Sequence, residues 1–348
     1  MSCHLHSIIK SSHPAIIAGP CAAESREQVL ETAEAVKGIP SLLAFRAGLW
    51  KPRTQPGDFE GVGEQGLEWL KEVKETTGLR LAVEIATAKH AGLCLQAGVD
   101  IVWIGARTVV SPFIVDEIAN ALKGSDVCIM VKNPVNPDIS LWAGGLERLM
   151  NKDLANLAAV HRGFDVYYSK PYRNVPLWEI PMELKSKYPD IPVLCDPSHI
   201  GGQRKYLSAI SQKAIDLGMD GLMIEAHIHP EKAFTDTSQQ VSPRELKSML
   251  NQLVIREKQA ENDAMLEKFR TTIDELDEQL LEIMARRMNI SEQIGTLKKE
   301  QNLAPFQAER WQTLLRDRIN KGKELKLNRD FIKKVFESIH MESIKRQE

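Results

Sequence analysis

The sequence predicts an α/β protein: a (β/α)8 TIM barrel followed by an all-helical module of one long helix and two shorter ones. Two observations carry this reading. Up to about residue 240, eight short β-rich runs alternate with amphipathic stretches. Beyond residue 264 no strand signal occurs, and apolar residues recur at steps of three and four for more than thirty positions. The chain of 348 residues exceeds one typical domain. The predicted division is a barrel over 1–255, a linker over 256–264 and a helical domain over 265–348.

The eight runs are AIIAG (15–19), LLAFR (42–46), LAVEI (81–85), IVWIG (101–105), CIMVK (128–132), VYYS (166–169), VLCD (193–196) and LMIEA (222–226). Their continuous apolar character suits strands buried on both faces. Helices are expected between them, for example over 66–76, 113–123 and 203–217. A doubly wound open sheet is the alternative, but no glycine-rich dinucleotide fingerprint follows the first strand. SPRE at 242–245 predicts the start of the last barrel helix, with Ser242 as N-cap, Pro243 at N1 and Glu245 at N3. REKQAENDA (256–264) reads as a helical or frayed linker.

The long helix is marked by Leu266, Phe269, Ile273, Leu276, Leu280, Ile283, Arg287, Ile290, Ile294 and Leu297. Pro305 ends it, and helices over about 307–321 and 328–345 follow.

Bulk properties exclude several functions. A net charge of −2 gives no electrostatic case for nucleic acid or an acidic membrane. No apolar stretch approaches the roughly 20 residues that span a bilayer. MSCHLHSIIKSSHP lacks a secretory h-region. Five scattered cysteines, at 3, 21, 94, 128 and 195, predict reduced thiols and a cytoplasmic location.

In such a barrel the C-terminal strand ends build the active site. Cys21 follows strand one, and Arg46 ends strand two, leading to Lys51, Arg53 and Thr54. Arg107 follows strand four and Lys132 ends strand five. His161 and Arg162 are read as preceding strand six. Strand seven ends in CDPSH, with Asp196 and His199, Glu225 and His227 share a face of strand eight, and Asp236 lies beyond. Alone, each reads as a rim charge, a core thiol or a structural histidine. Together, Cys, His, Glu and Asp at several mouths predict a four-ligand divalent metal site of mixed softness. Arg46, Lys51, Arg53, Arg107, Lys132 and Arg162 fit one or two phosphate groups.

GPCAAES, KPRTQP, IGAR, VK, HRG, DPSH and IEAH…D, in this order, resemble the type I 3-deoxy-D-arabino-heptulosonate 7-phosphate (DAHP) synthases, in the shorter subgroup shared by bacteria and archaea. The resemblance covers nearly all of 10–250. It implies condensation of phosphoenolpyruvate with erythrose 4-phosphate, giving DAHP and phosphate. It implies a metal held by Cys21, His199, Glu225 and Asp236, with Mn2+ placed ahead of Fe2+, Co2+ or Zn2+. Arg107, Lys132 and Arg162 would hold phosphoenolpyruvate, with Arg46 and Lys51 nearby. Lys51 is also the candidate proton donor, and Arg53 and Thr54 would face the sugar phosphate. The sister 3-deoxy-D-manno-octulosonate 8-phosphate synthases typically carry an asparagine-containing variant of KPRT.

On the long helix, Arg287 occupies an apolar slot. Lys298 lies eleven residues on, within about 20° of the same face and about 16 Å along the axis, so the two can converge on one small anion. Arg270 is about 42 Å from Lys298 and can join that site only from a second chain. FRTTIDELDEQLLEIMARRMNISEQIGTLKK resembles the first helix of the all-helical (AroQ-class) chorismate mutases, which form intertwined dimers. This implies Arg270 in trans, and Arg287, Lys298, Arg310, Ser343 and Gln347 in cis, for rearrangement of chorismate to prephenate. Arg287 and Lys298 would be its catalytic cations. Gln307 stands where many members have aspartate, and Trp311 where many carry a catalytic glutamate. An alternative register offers Glu309 or Gln312.

The leading expectation is a bifunctional enzyme of aromatic amino-acid biosynthesis, a homodimer through its tail and possibly of higher order. Alternatives are a tail that only senses ligand and dimerises the chain, or a barrel that makes the eight-carbon sugar acid. Prephenate bound in the tail is expected to inhibit the barrel, since only about a dozen residues precede strand one and the tail is the available sensor.

Overall fold

The computed structural model describes residues 14–51, 57–167, 171–256 and 264–347. The chain divides into two compact units, Met1–Lys258 and Gln259–Glu348.

The first unit is a closed barrel of eight parallel strands in sequence order. They are β1 (Ala15–Gly19), β2 (Leu42–Ala47), β3 (Leu81–Ile85), β4 (Ile101–Ile104), β5 (Cys128–Lys132), β6 (Leu157–His161), β7 (Val193–Cys195) and β8 (Gly221–Glu225). Closure comes from β1 on β8, in register from Ala15 opposite Gly221 to Gly19 opposite Glu225. Alternate side chains face opposite ways along a strand. Ile17, Trp103, Met130 and Met223 therefore fill the barrel with Ala82 and Ala158, while Ile16, Ala18 and Val83 pack outward in the helix-covered layer.

Around the barrel run α1 (Arg26–Val36), α2 (Gln65–Thr77), α3 (Ala88–Gln96), α4 (Pro112–Leu122), α5 (Ile139–Met150), α6 (Glu179–Lys187), the short α7 (Pro197–Gly201), α8 (Arg204–Asp216) and α9 (Pro243–Asn251). Local chemistry sets their starts. Ser25, Thr87 and Asp138 accept hydrogen bonds from backbone N–H groups of α1, α3 and α5. The predicted capping box of α9 is formed, with Glu245 N donating to Ser242 Oγ and Ser242 N to Glu245 Oε2.

One strand differs from expectation. The sixth is Leu157–His161, and Val166 and Tyr167 lie in the irregular segment after it. LAAVH is rich in residues that favour helices and hides its strand character; pairing with β5 and β7 decides its state. His161 and Arg162 thus lie at the mouth end of β6, rather than before strand six.

The second unit holds α10 (Ala264–Glu300), α11 (Ala308–Glu324) and α12 (Arg329–Gln347). Most of the expected linker, residues 257–263, lies outside the described residues. α12 packs on both α10 and α11. Gly295 permits the closest approach, since a Cβ there would meet Gln347 Cα at 2.6 Å. The predicted stripe on α10 is uncovered within one chain: Phe269, Ile273, Leu276, Leu280 and Ile283 are all more than half exposed. No helix among the described residues is long and apolar enough to cross a membrane.

Candidate functional site

The barrel mouth is built from strand ends. β1 stops at Gly19, whose φ of +149° and contact with β2 leave no space for a side chain: a Cβ would meet Arg46 O at 2.1 Å. Pro20 follows and delivers Cys21, fully buried, with its N–H donating to Gln240 Oε1 at 2.9 Å. The Cys21 thiol donates to Asp236 Oδ2 at 3.2 Å. Cys21, Glu225 and Asp236 each place a donor atom within 4.8 Å of the other two.

The surroundings hold the two carboxylates as anions. Glu225 is fully buried and takes Arg46 Nη2 at 3.2 Å and Gln239 Nε2 at 2.7 Å. Burial works against its charge, yet His199 and Arg46 outweigh it and hold the carboxyl below its usual range. Asp236 accepts from Arg173 Nη1 at 2.9 Å; burial opposes its charge too, but His199 and Arg173 hold it well below the carboxylate range. Burial first, then Glu225, pushes the Cys21 thiol up to about 12. A sulfur donor beside two anionic carboxylates is a donor set that fits a divalent cation.

His199 is carried by α7, whose N-cap Asp196 accepts from His199 N at 3.0 Å. Its Nδ1 lies 2.8 Å from Asp196 Oδ2 and its Nε2 3.8 Å from Glu225 Oε1, so it flanks the three-residue group. His227 points elsewhere: β8 ends at Glu225, and His227 Nε2 lies 3.5 Å from Glu24 Oε2.

Cations ring this centre. Arg46 is buried, 5.0 Å from the Trp103 ring centroid, and its Nε and Nη1 lack hydrogen-bond partners among the described residues. Lys132 donates to Asp196 Oδ2 at 2.7 Å. Burial opposes the Asp196 charge, but His199 and Lys132 together hold that carboxyl well below its ordinary value. Arg162 donates to Asn174 Oδ1 at 2.9 Å. Burial, with Arg173 and Arg107 adding repulsion, brings its guanidinium down to about 10 against the pull of Asp196. Lys51 is half-buried after β2 and senses Cys21, Glu84 and Glu225. Arg107 is exposed at the rim after β4. Arg53 and Thr54 lie outside the described residues.

Sequence reasoning missed the polar supports. Arg173 bridges Asp236 and Gln239; Gln240 holds Cys21; Ser198 Oγ accepts from Glu225 N at 3.0 Å; Asn133 Oδ1 accepts from Arg162 N at 2.6 Å. SQQ at 238–240 was the available signal, two amides directly after a candidate ligand loop.

A second cluster lies in the helical unit. Arg287 Nη1 donates to Ser343 Oγ. Lys298 Nζ donates to Gln347 Oε1 at 3.0 Å and to Pro305 O at 2.6 Å. Four expected residues therefore meet between α10 and α12. Arg270 is exposed and pairs with Glu267 on its own helix, and Gln307 and Arg310 are exposed at the start of α11. Trp311 lies flat on His340, ring centroids 4.0 Å apart.

A closed eight-stranded barrel with a cation-ringed mouth, joined to a three-helix module carrying its own cationic pocket, defines a two-site enzyme for anionic substrates. Residues 6–261 match the DAHP synthetase I family, to which the chain belongs, and residues 269–348 match chorismate mutase type II. It joins a 3-deoxy-7-phosphoheptulonate synthase domain and a chorismate mutase domain on one polypeptide, an enzyme of aromatic amino-acid biosynthesis.

Among similar proteins is a phospho-2-dehydro-3-deoxyheptonate aldolase of Thermotoga maritima, 29% identical over 238 residues, 68% of each chain. The crystal structure of the enzyme so named from that organism superposes with a TM-score of 0.62 at 28% identity, covering 69% of this chain and 68% of that one. A 2-dehydro-3-deoxyphosphooctonate aldolase of Nitratidesulfovibrio vulgaris is 27% identical over 247 residues, 64% of this chain and 84% of that one.

Proposed function

We propose that the barrel condenses phosphoenolpyruvate with erythrose 4-phosphate in a metal-dependent reaction, and that the helical unit converts chorismate to prephenate and lets prephenate inhibit the barrel. The observation that carries the first part is the convergence of Cys21, Glu225 and Asp236 within 4.8 Å inside a ring of cations. These three, with His199 beside them, hold a divalent cation, Mn2+ ahead of Fe2+, Co2+ or Zn2+; when bound it supplies Lewis acidity at the sugar-phosphate aldehyde.

The chain's own residues bring two anions together. Arg46, with two nitrogens lacking hydrogen-bond partners among the described residues, and Lys132 and Arg162 hold phosphoenolpyruvate. Lys51 and Arg107 add charge at the rim, and Lys51 is the candidate proton donor. Arg53 and Thr54 receive the sugar phosphate. Fixing both substrates removes the entropy of encounter, and the cations offset their mutual repulsion. In the helical unit, Arg287, Lys298, Ser343 and Gln347 hold a dicarboxylate in its compact conformer. Arg270 enters from a second copy through the exposed stripe of α10, making the chain a homodimer. The reaction is cytoplasmic.

Phosphate release from phosphoenolpyruvate tests the barrel. Metal-stripped protein is expected to be inactive, and Mn2+ to restore release with erythrose 4-phosphate. Arabinose 5-phosphate is expected to support less than about 1% of that rate, because a site built around one sugar's polar groups rejects another strongly. Preference for arabinose 5-phosphate overturns the reading in favour of the octulosonate reaction. Trp311 in place of a carboxylate favours a second reading, a non-catalytic sensor, which chorismate turnover tests directly. For feedback, prephenate is expected to inhibit the full chain and to leave a chain truncated near residue 258 unaffected. Equal inhibition of both would place the regulatory site in the barrel.

A further inference from the structure

We propose that His340 is a substrate-contacting residue of the helical pocket, where its Nε2 accepts a hydrogen bond from the hydroxyl of the bound dicarboxylate. The inference rests on the mutase reading of that pocket. His340, Ser343 and Gln347 are spaced three and four apart on α12, which puts them on one face. Ser343 and Gln347 on that face already engage Arg287 and Lys298 of α10. His340 is the next side chain along the same row toward the N-terminus of α12.

Its ring rests on aromatic neighbours. The imidazole lies flat on Trp311, 4.0 Å between centroids and 7° between planes, and Phe306 packs at 5.9 Å. Its Nε2 is out of solvent and has no hydrogen-bond partner among the described residues. A buried polar atom left unmade is costly unless a ligand completes it. Burial, then Arg287 and Lys298, holds the imidazole below its ordinary value and therefore uncharged near neutral pH.

The division of labour follows from the charges. Arg287 and Lys298 attract the carboxylates, which leaves the uncharged nitrogen for the uncharged polar group of the substrate. A neutral imidazole nitrogen accepts a hydrogen bond from a hydroxyl as a carboxylate oxygen does, but without opposing the bound anion. The indole at 311 then serves as the plate that orients the acceptor.

The test compares full-length His340→Phe and His340→Gln, with phosphate release by the barrel as a control for intact protein. Phenylalanine keeps a flat ring on Trp311 and removes the nitrogen; glutamine loses the stack but restores a polar atom. The expected result is that kcat/KM for chorismate falls about 10- to 100-fold in His340→Phe and recovers to within about fivefold of wild type in His340→Gln. A purely packing role gives the opposite order, and either that order or a fully active His340→Phe overturns the proposal. If wild type does not turn over chorismate, the mutase reading fails on its own, and calorimetric titration with prephenate decides the contact. Weaker binding to His340→Phe than to His340→Gln then upholds it, while equal binding, or none to wild type, overturns it.

Discussion

Cys21→Ala is expected to lower DAHP formation by on the order of 10^3-fold or more, because the proposed metal site would lose a donor and with it several kcal/mol of transition-state stabilisation. Chorismate conversion by the same polypeptide is expected to stay within about twofold of wild type, because Arg287, Lys298, Ser343 and Gln347 all belong to the other compact unit. The two activities make each a control for the other. A misfolded chain loses both, and a damaged barrel mouth loses one. The geometry argues that alanine leaves the mouth in place. Arg46 and Gln239 still hold Glu225, Arg173 still holds Asp236, and Gln240 still receives the backbone N–H of residue 21. What disappears is the sulfur, 3.2 Å from Asp236, and with it the soft member of the donor set. Phosphate release and metal content are to be read together. Alanine protein that keeps its metal and a tenth of its activity would make Cys21 a structural thiol. Cys21→Ser is expected to fall between the two, since a hydroxyl is a poorer donor than a thiolate.

Seven of the eight strands were legible because a strand buried on both faces writes a continuous apolar run, whatever surrounds it. The eighth case shows the limit. Leu157–His161 carries two alanines and one valine, while Val166 and Tyr167 carry the β-favouring side chains. Only the neighbouring strands decide between them. The same distinction separates the two kinds of site residue. Cys21, Glu225 and Lys132 were readable because each sits at the end of a strand or just past it, and barrel topology brings strand ends together. Arg173, Gln239, Gln240 and Asn133 lie in loops, where no period marks a face. Arg173 reaches Asp236 across 63 residues of sequence, and nothing local records that meeting. Trp311 was visible as a departure, but its partner His340 was not, because a histidine in a helical row reads as ordinary until the facing helix is placed.

In the helical unit the largest expected effect is that of Arg287→Ala, a loss of about 10^2- to 10^4-fold in chorismate turnover, the range for removing a charged group aimed at developing charge. It leaves Ser343 without its donor and Lys298 alone to hold a dianion. Unchanged turnover would take Arg287 out of the catalytic machinery, and no turnover in wild type would make the unit a sensor. Arg270→Ala carries the sharper consequence. Arg270 sits about 42 Å along α10 from Lys298, beside the uncovered stripe of Phe269, Ile273 and Leu276. If a second copy covers that stripe and Arg270 serves its partner's pocket, each variant alone forms only defective sites. Random re-association of the two makes half the dimers mixed, and in each mixed dimer one pocket draws Arg287 from one chain and Arg270 from the other, both native. Two nearly inactive proteins are then expected to recover about a quarter of wild-type turnover on mixing. An Arg270 acting within its own chain permits no such recovery, because every pocket would keep the defect it was made with.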